Sequence, residues 1–190
     1  MTTRIGAFIH VTLDGFFAGP NGEIDWFKVI KKDAAWEKHS REESQAGGTL
    51  LMGRKTYEMM KSFWPTPAGM SSDPHMAKVM NESPKIVISK SVASVKDEGH
   101  WKNVTLLRSL DPAAIKQTGE NITILGSGSI IRQLTDLNLI DEYELVIVPV
   151  ILGVGKSLFE GVKKRELVLP GAQSFKNGLV SVRYRPSAAD

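Results

Sequence analysis

Short apolar runs rich in Ile, Val and Leu recur along this chain with amphipathic stretches between them, and that alternation constrains the fold more than any other feature. The runs are Ile5 to Val11, Thr49 to Met52, Lys85 to Ser89, Val104 to Leu107, Ile122 to Leu125 and Tyr143 to Val150. They are too short for helices and apolar without alternation, which reads as strands buried on both faces. Helical spacing falls between them at Asp33 to Gln45, Lys55 to Ser62, Asp111 to Gln117 and Ser129 to Leu137. Parallel neighbours need a long crossover, so the pattern predicts an α/β fold. We expect a mostly parallel mixed sheet of about eight strands with flanking helices. Glu166 to Val168 and Leu179 to Tyr184 lack a helix between them and meet at the turn signal Lys176, Asn177, Gly178, which predicts a C-terminal antiparallel hairpin. The stretch from Pro65 to Pro84 specifies little beyond a helix start at Asp73 and Pro74, and reads as a flap or a plain connection.

Composition narrows the function classes. The chain has 190 residues, 42% of them hydrophobic, enough for a single domain over 1–190 with its own core. With no cysteine, disulfides, thiolate zinc sites and cysteine nucleophiles are excluded, and a cytoplasmic home is expected. The net charge of +3 comes from 24 basic against 21 acidic residues, too slight and scattered for a nucleic-acid footprint, but compatible with anionic small molecules. The first apolar run contains His10 and is too short to span a membrane, and no secretory cleavage region follows it. His10, His39, His75 and His100 show no metal-ligand spacing, and there is no Gly-x-Ser-x-Gly elbow, so no metal and no hydrolase are expected.

Three strand ends carry polar clusters. In "ITILGSGSIIRQL" a strand ends in Gly126, Ser127 and Gly128, and a helix starts at once with Ser129. Small residues and free amides at a helix start make an anion site suited to a pyrophosphate. A Rossmann fingerprint would need glycine where Ile131 stands and an acid near Leu145 and Val146, so that version fails. The alternative is a tight turn using glycine for its backbone freedom. In "LLMGRKTYEMM" a second strand runs through Gly53 into a helix opening with Arg54, Lys55 and Thr56. Cations there oppose the helix dipole unless an anion lies above them. A solvated helix end is the alternative. "KIVISKS" adds Ser89, Lys90 and Ser91. Ligands of open α/β sheets gather beyond the carboxyl ends of parallel strands, so the three clusters should form one site.

Taken in order, "TLDGFFAGPNG", "LLMGRKTYE", "KIVISKS", "ILGSGSIIRQL" and "VIVPVILGVGKSLF" resemble the dihydrofolate reductase-like superfamily, and most closely the reductase domain of riboflavin biosynthesis. The resemblance covers nearly the whole chain and implies NADPH. It would place Gly53, Arg54, Lys55 and Thr56 near the phosphates, Ser89 and Lys90 near the 2′-phosphate, and Gly126 to Ser129 along the pyrophosphate. Leu13 and Asp14 resemble the loop approaching the nicotinamide, although a structural turn explains Asp14 and Gly15 equally well. "DAAWEKH" resembles the folate-enzyme helix with a pterin-binding carboxylate, making Asp33 the candidate acid–base residue. An N-cap is the plainer role for it, and Glu23 and Asp25 are the alternative carboxylates. Trp26 and Phe27 are candidate aromatic walls, and Leu152 and Gly153 resemble the segment turning beside the substrate, where Val154 and Lys156 depart from the pattern.

The resemblance implies hydride transfer to a pterin or pyrimidine-type small molecule, most like 5-amino-6-(5-phosphoribosylamino)uracil. Dihydrofolate reduction or a non-catalytic nucleotide-binding module are the alternatives. It also implies a homodimer, with the strand at Tyr143 to Ile151 and the terminal hairpin as pairing elements. A zinc deaminase half needs paired Cys, so only the reductase half is expected.

Overall fold

The computed structural model describes residues 3–44, 47–117 and 121–187. Strands β1 (Ile5–Thr12), β3 (Thr49–Gly53), β4 (Lys85–Ile88), β5 (Val104–Leu107), β6 (Ile122–Leu125), β7 (Glu142–Val148), β9 (Leu167–Ser174) and β10 (Val180–Pro186) form one sheet. Its order is β5-β4-β3-β6-β1-β7-β10-β9. From β5 to β7 every pair is parallel, and β10 runs antiparallel to both neighbours. The chain steps outward from β1 through β3, β4 and β5, then returns to insert β6 beside β1. Each parallel strand therefore delivers its carboxyl end to the same sheet edge.

The apolar runs become strands because both faces are covered. Ile5, Ala7, Ile9 and Val11 pack with Ile115 of α5 (Pro112–Lys116) and with Ile130, Ile131 and Leu134 of α6 (Gly128–Asp136). On the other face Leu50, Met52 and Val87 pack with Tyr57 of α2 (Arg54–Phe63), Met80 of α4 (Pro74–Glu82) and Trp101. Farther along that face Val146 and Val148 meet Trp26, Phe175 and Leu179, with Trp36 of α1 (Ala34–Ser44) beside them. Burying each such side chain is worth about 1.5–3 kcal/mol. α6 stops where Asn138 adopts a left-handed φ of 56°, a conformation asparagine tolerates at a helix end.

Three expectations change. The stretch from Pro65 to Pro84 is mostly helical, with α3 (Pro67–Ser72) and α4 joined at Asp73. Thr66 caps α3 through Gly69 N–H, Asp73 caps α4 through His75 and Met76 N–H, and each helix opens with a proline. Two short strands, β2 (Phe16–Ala18) and β8 (Lys156–Ser157), form a separate small ladder. β7 lies between β1 and β10, so its backbone is satisfied internally and cannot pair across a two-fold axis. Among the described residues no helix is long and apolar enough to cross a membrane.

Candidate functional site

At the carboxyl edge the ends of β3 and β6 are tied together by one side chain. Ser127 Oγ accepts the Gly53 N–H at 2.7 Å and shares a hydrogen bond with Thr56 Oγ1 at 2.8 Å. Gly126 and Ser127 both take left-handed φ, 57° and 58°, which turns the chain sharply into α6. With the Ser127 hydroxyl aimed at the neighbouring strand, α6 begins without a side-chain cap, and α2 likewise starts at Gly53 without one. Neither helix has a carboxylate in its first turn. Two helix starts with no built-in anion therefore sit side by side. Gly128 has another reason to be glycine: a Cβ there would lie 2.5 Å from the Phe17 ring, so β2 rests on the start of α6. Ser129 is exposed.

Cations gather around these junctions. Arg54 is exposed and only loosely paired with Glu58 at 3.7 Å. The amines of Lys55 and Lys156 both approach Gly22, 3.5 and 3.6 Å from the point a Cβ would occupy. Neither pairs with a carboxylate among the described residues. Lys156, which the sequence reading noted only as a departure, thus joins Lys55. At the end of β4 the Ser89 hydroxyl is turned into its own loop, accepting Ser91 and Val92 N–H, while Lys90 is exposed. Arg108 holds that loop by donating to the carbonyls of Val92 and Ala93.

The carboxylates expected to meet substrate are engaged elsewhere. Asp33 Oδ1 accepts Ala35 and Trp36 N–H at 2.8 and 3.0 Å, and Oδ2 accepts Asn177 N–H at 3.1 Å. It caps α1 and fastens the β9–β10 turn. The Trp36 amide first, with Ala35 and Asn177, holds its pKa below the ordinary carboxylate value, which suits an ionised cap and not a proton donor. Asp14 accepts from Thr12 Oγ1 at 2.6 Å, Leu152 N–H at 3.1 Å and Gly153 N–H at 2.7 Å. The Thr12 hydroxyl first, then those amides, lower its pKa. Asp14 therefore joins the loops after β1 and β7. Glu23 is held within its own turn by Asn21, and Asp25 is exposed at the start of a 3-10 helix, Asp25–Val29.

Aromatic rings line the face between α1 and the end of β1. Trp26 is buried and stacks on half-buried Phe27 at 4.4 Å between centroids. His10 stands among Phe8, Phe27 and Trp36 at 5.4, 5.0 and 5.7 Å. Leu152 packs against this group, whereas Leu13 and Gly153 are exposed. From the sequence, His10 stood out only for lacking metal-ligand spacing. The available signal was position: it shares a face with Phe8, two residues from the end of β1.

The opposite, amino edge is chemically different. A cavity of about 230 Å³ lies between α1, α4 and the sheet, lined by Phe8, Leu50, Met76 and Met80 with Glu43 and Glu144 among its polar groups. None of the residues singled out from sequence lines it. His39, Glu43 and Glu144 place ligand atoms within 4.8 Å of one another, but Arg183 already pairs with both carboxylates, at 2.6 and 3.4 Å.

The sheet order, the crossover helices and the two fused strand-to-helix junctions define a dihydrofolate reductase-like fold. The model of the RibD C-terminal domain family matches residues 4–181, and the chain belongs to that family. It is similar to the uncharacterized Bacillus subtilis (strain 168) protein YyaP, 30% identical over 182 residues that cover 95% of this chain and 94% of the relative. A second uncharacterized protein of that organism, YwjB, is 28% identical and covers 92% and 94%. Among solved structures, a Shewanella sp. PV-4 protein provisionally assigned to riboflavin biosynthesis superposes with a TM-score of 0.74 at 22% identity, covering 99% of this chain and all of its own. Acinetobacter baumannii RibD superposes with a TM-score of 0.68 at 12% identity, covering 98% of this chain and 58% of that one. At these identities the structures establish the fold, that of the RibD reductase domain.

Proposed function

We propose that this chain is an NADPH-dependent reductase that transfers a hydride to a flat pterin or pyrimidine-type ring. The observation that carries the reading is the carboxyl edge. Two uncapped helix starts are locked together through Ser127 and flanked by Arg54, which pairs loosely with Glu58, and by Lys55 and Lys156, which meet no carboxylate among the described residues. Such an arrangement fits a pyrophosphate flanked by further phosphate. Gly53, Thr56 and Gly126 to Ser129 would hold the cofactor there, with Ser89 and Lys90 on its outer side. When bound, NADPH supplies the hydride.

The protein's part is placement. Phe27 and Trp36 offer faces for a planar ring, Trp26 backs Phe27, and Leu13, Asp14, Leu152 and Gly153 form the rim. Because both Asp33 oxygens hold backbone amides, the product proton would come from water at this rim. A homodimer and a cytoplasmic location belong to the same proposal. β9 supports the dimer, as an edge strand exposing Leu167, Val168 and Leu169.

The test is a fluorescence titration with NADPH and NADH, followed by nicotinamide absorbance after adding dihydrofolate or the aminouracil ribosyl phosphate. The expected result is binding that favours NADPH, weakened about tenfold by Arg54→Ala, the equivalent of ~1.4 kcal/mol, with turnover of one substrate. No binding of either nucleotide would overturn the reading, and binding without turnover would favour a non-catalytic module.

A further inference from the structure

We propose that the cavity at the amino edge is a second ligand site, built for a compact, uncharged aromatic molecule of one ring or two fused rings. It stands apart from the carboxyl edge and does not rest on the hydride-transfer reading.

The cavity begins with a missing side chain. Alternation along β1 puts Gly6 on the same face as Phe8, between Thr123 of β6 and Glu142 of β7. The register on both sides is unbroken, so Gly6 marks no bulge, and its φ lies outside the left-handed region. A Cβ there would meet only the Ile122 and Glu142 carbonyl oxygens, at the ordinary contact distances of 3.9 and 4.0 Å. Neither backbone conformation nor crowding therefore calls for glycine, which weakens a strand interior. Glycine at such a position marks a place where a ligand approaches the sheet closely. Here it leaves the floor open beneath α1 and α4.

The space above that floor measures about 230 Å³ and is walled by Phe8, Leu50 and Leu125 of the sheet and by Met76, Val79 and Met80 of α4. An apolar cavity of about 150 Å³ takes up benzene, so this one accommodates a substituted or fused ring. Phe8 supplies a ring for offset or edge contact. The two methionines bring flexible, polarizable thioethers that favour the edge of an aromatic ligand.

Charge selects against ions. Four carboxylates line the polar end of the cavity, and each is committed. Glu43 pairs with Arg183 at 2.6 Å, Glu142 with Arg185 at 2.7 Å and Glu144 with His39 at 2.9 Å. Asp141 accepts the Ile5 N–H at 2.7 Å. A cationic ligand would have to displace one of these partners, and an anionic one would face the carboxylates. An uncharged ring gives up the least hydration on entering and disturbs none of the pairs.

The experiment titrates the intact chain, with its methionine methyls carbon-13 labelled, against indole and phenol, with benzoate and benzylamine as ring-bearing ions. Indole or phenol is expected to move the Met76 and Met80 methyl signals and leave that of exposed Met59 in place, while the two ions move none. Gly6→Val fills the floor at a point where a Cβ has room, and is expected to weaken indole binding at least about tenfold. Its melting temperature shows whether it folds, and if it does not, Thr123→Leu fills the same floor from β6. The proposal is overturned if neither neutral ring moves the Met76 and Met80 signals, or if a folded filling variant binds indole like the wild type. Benzoate or benzylamine binding as tightly as indole would also overturn it.

Discussion

The two edges of the sheet hold charge in opposite ways. At the amino edge Arg183 meets Glu43, Glu142 and Glu144, Arg185 meets Glu142, and His39 completes the group. Each of these charges meets its opposite within the fold. At the carboxyl edge Lys55 and Lys156 converge on Gly22 and two helix starts lack caps. The first arrangement is complete without a ligand and the second is not. A ligand-binding edge is recognised here by what the protein leaves unbalanced, more than by how many polar groups it carries.

Removing one member from each edge should separate the two cases. Glu144→Leu leaves His39, Ser181 and Arg183 without their shared acceptor. We expect a stability loss of about 3 kcal/mol, the low end for breaking a buried pair because Arg183 keeps Glu43 and Glu142. Urea unfolding measures it, and NADPH affinity should not change. Ser127→Ala leaves the Gly53 amide unpaired and should cost about 1–3 kcal/mol. Unlike the first variant, it should also weaken NADPH binding, and equal affinity in the two variants would break the comparison.

A third test uses pH. Because the folded-state pKa of His10 is lowered from 6.5 to about 4, the unfolded chain takes up a proton in that interval before the native state does. Stability should therefore fall as pH drops from 6.5 toward 4. The difference between wild type and His10→Phe isolates this contribution, and the variant should show the shallower decline.

The sheet was legible because strands buried on both faces have to be continuous apolar runs. Val104 to Leu107 and Ile122 to Leu125 match their strands residue for residue. α3 went unread although Thr66 and Pro67 are a cap and first-turn pair, since the residues after them carry little helical periodicity. β2 and β8 have three and two residues, too few for any period to register. The glycine junctions could be read as local patterns. The bond from Gly53 to Ser127 spans 74 residues, and no local pattern encodes it. Asp33 caps its helix, the plainer of the two roles its position suggested, whereas the Asn177 amide on its second oxygen is a contact no local pattern encodes.

Asp14 couples two loops that are far apart in sequence and adjacent in space. Its carboxylate receives Thr12 from one and Leu152 and Gly153 from the other, so neither can swing away without breaking charge-assisted bonds to its neighbour. The rim of the aromatic face therefore behaves as a single hinged piece, and a substitution in the loop after β7 will be felt by the loop after β1 as directly as by its own strand.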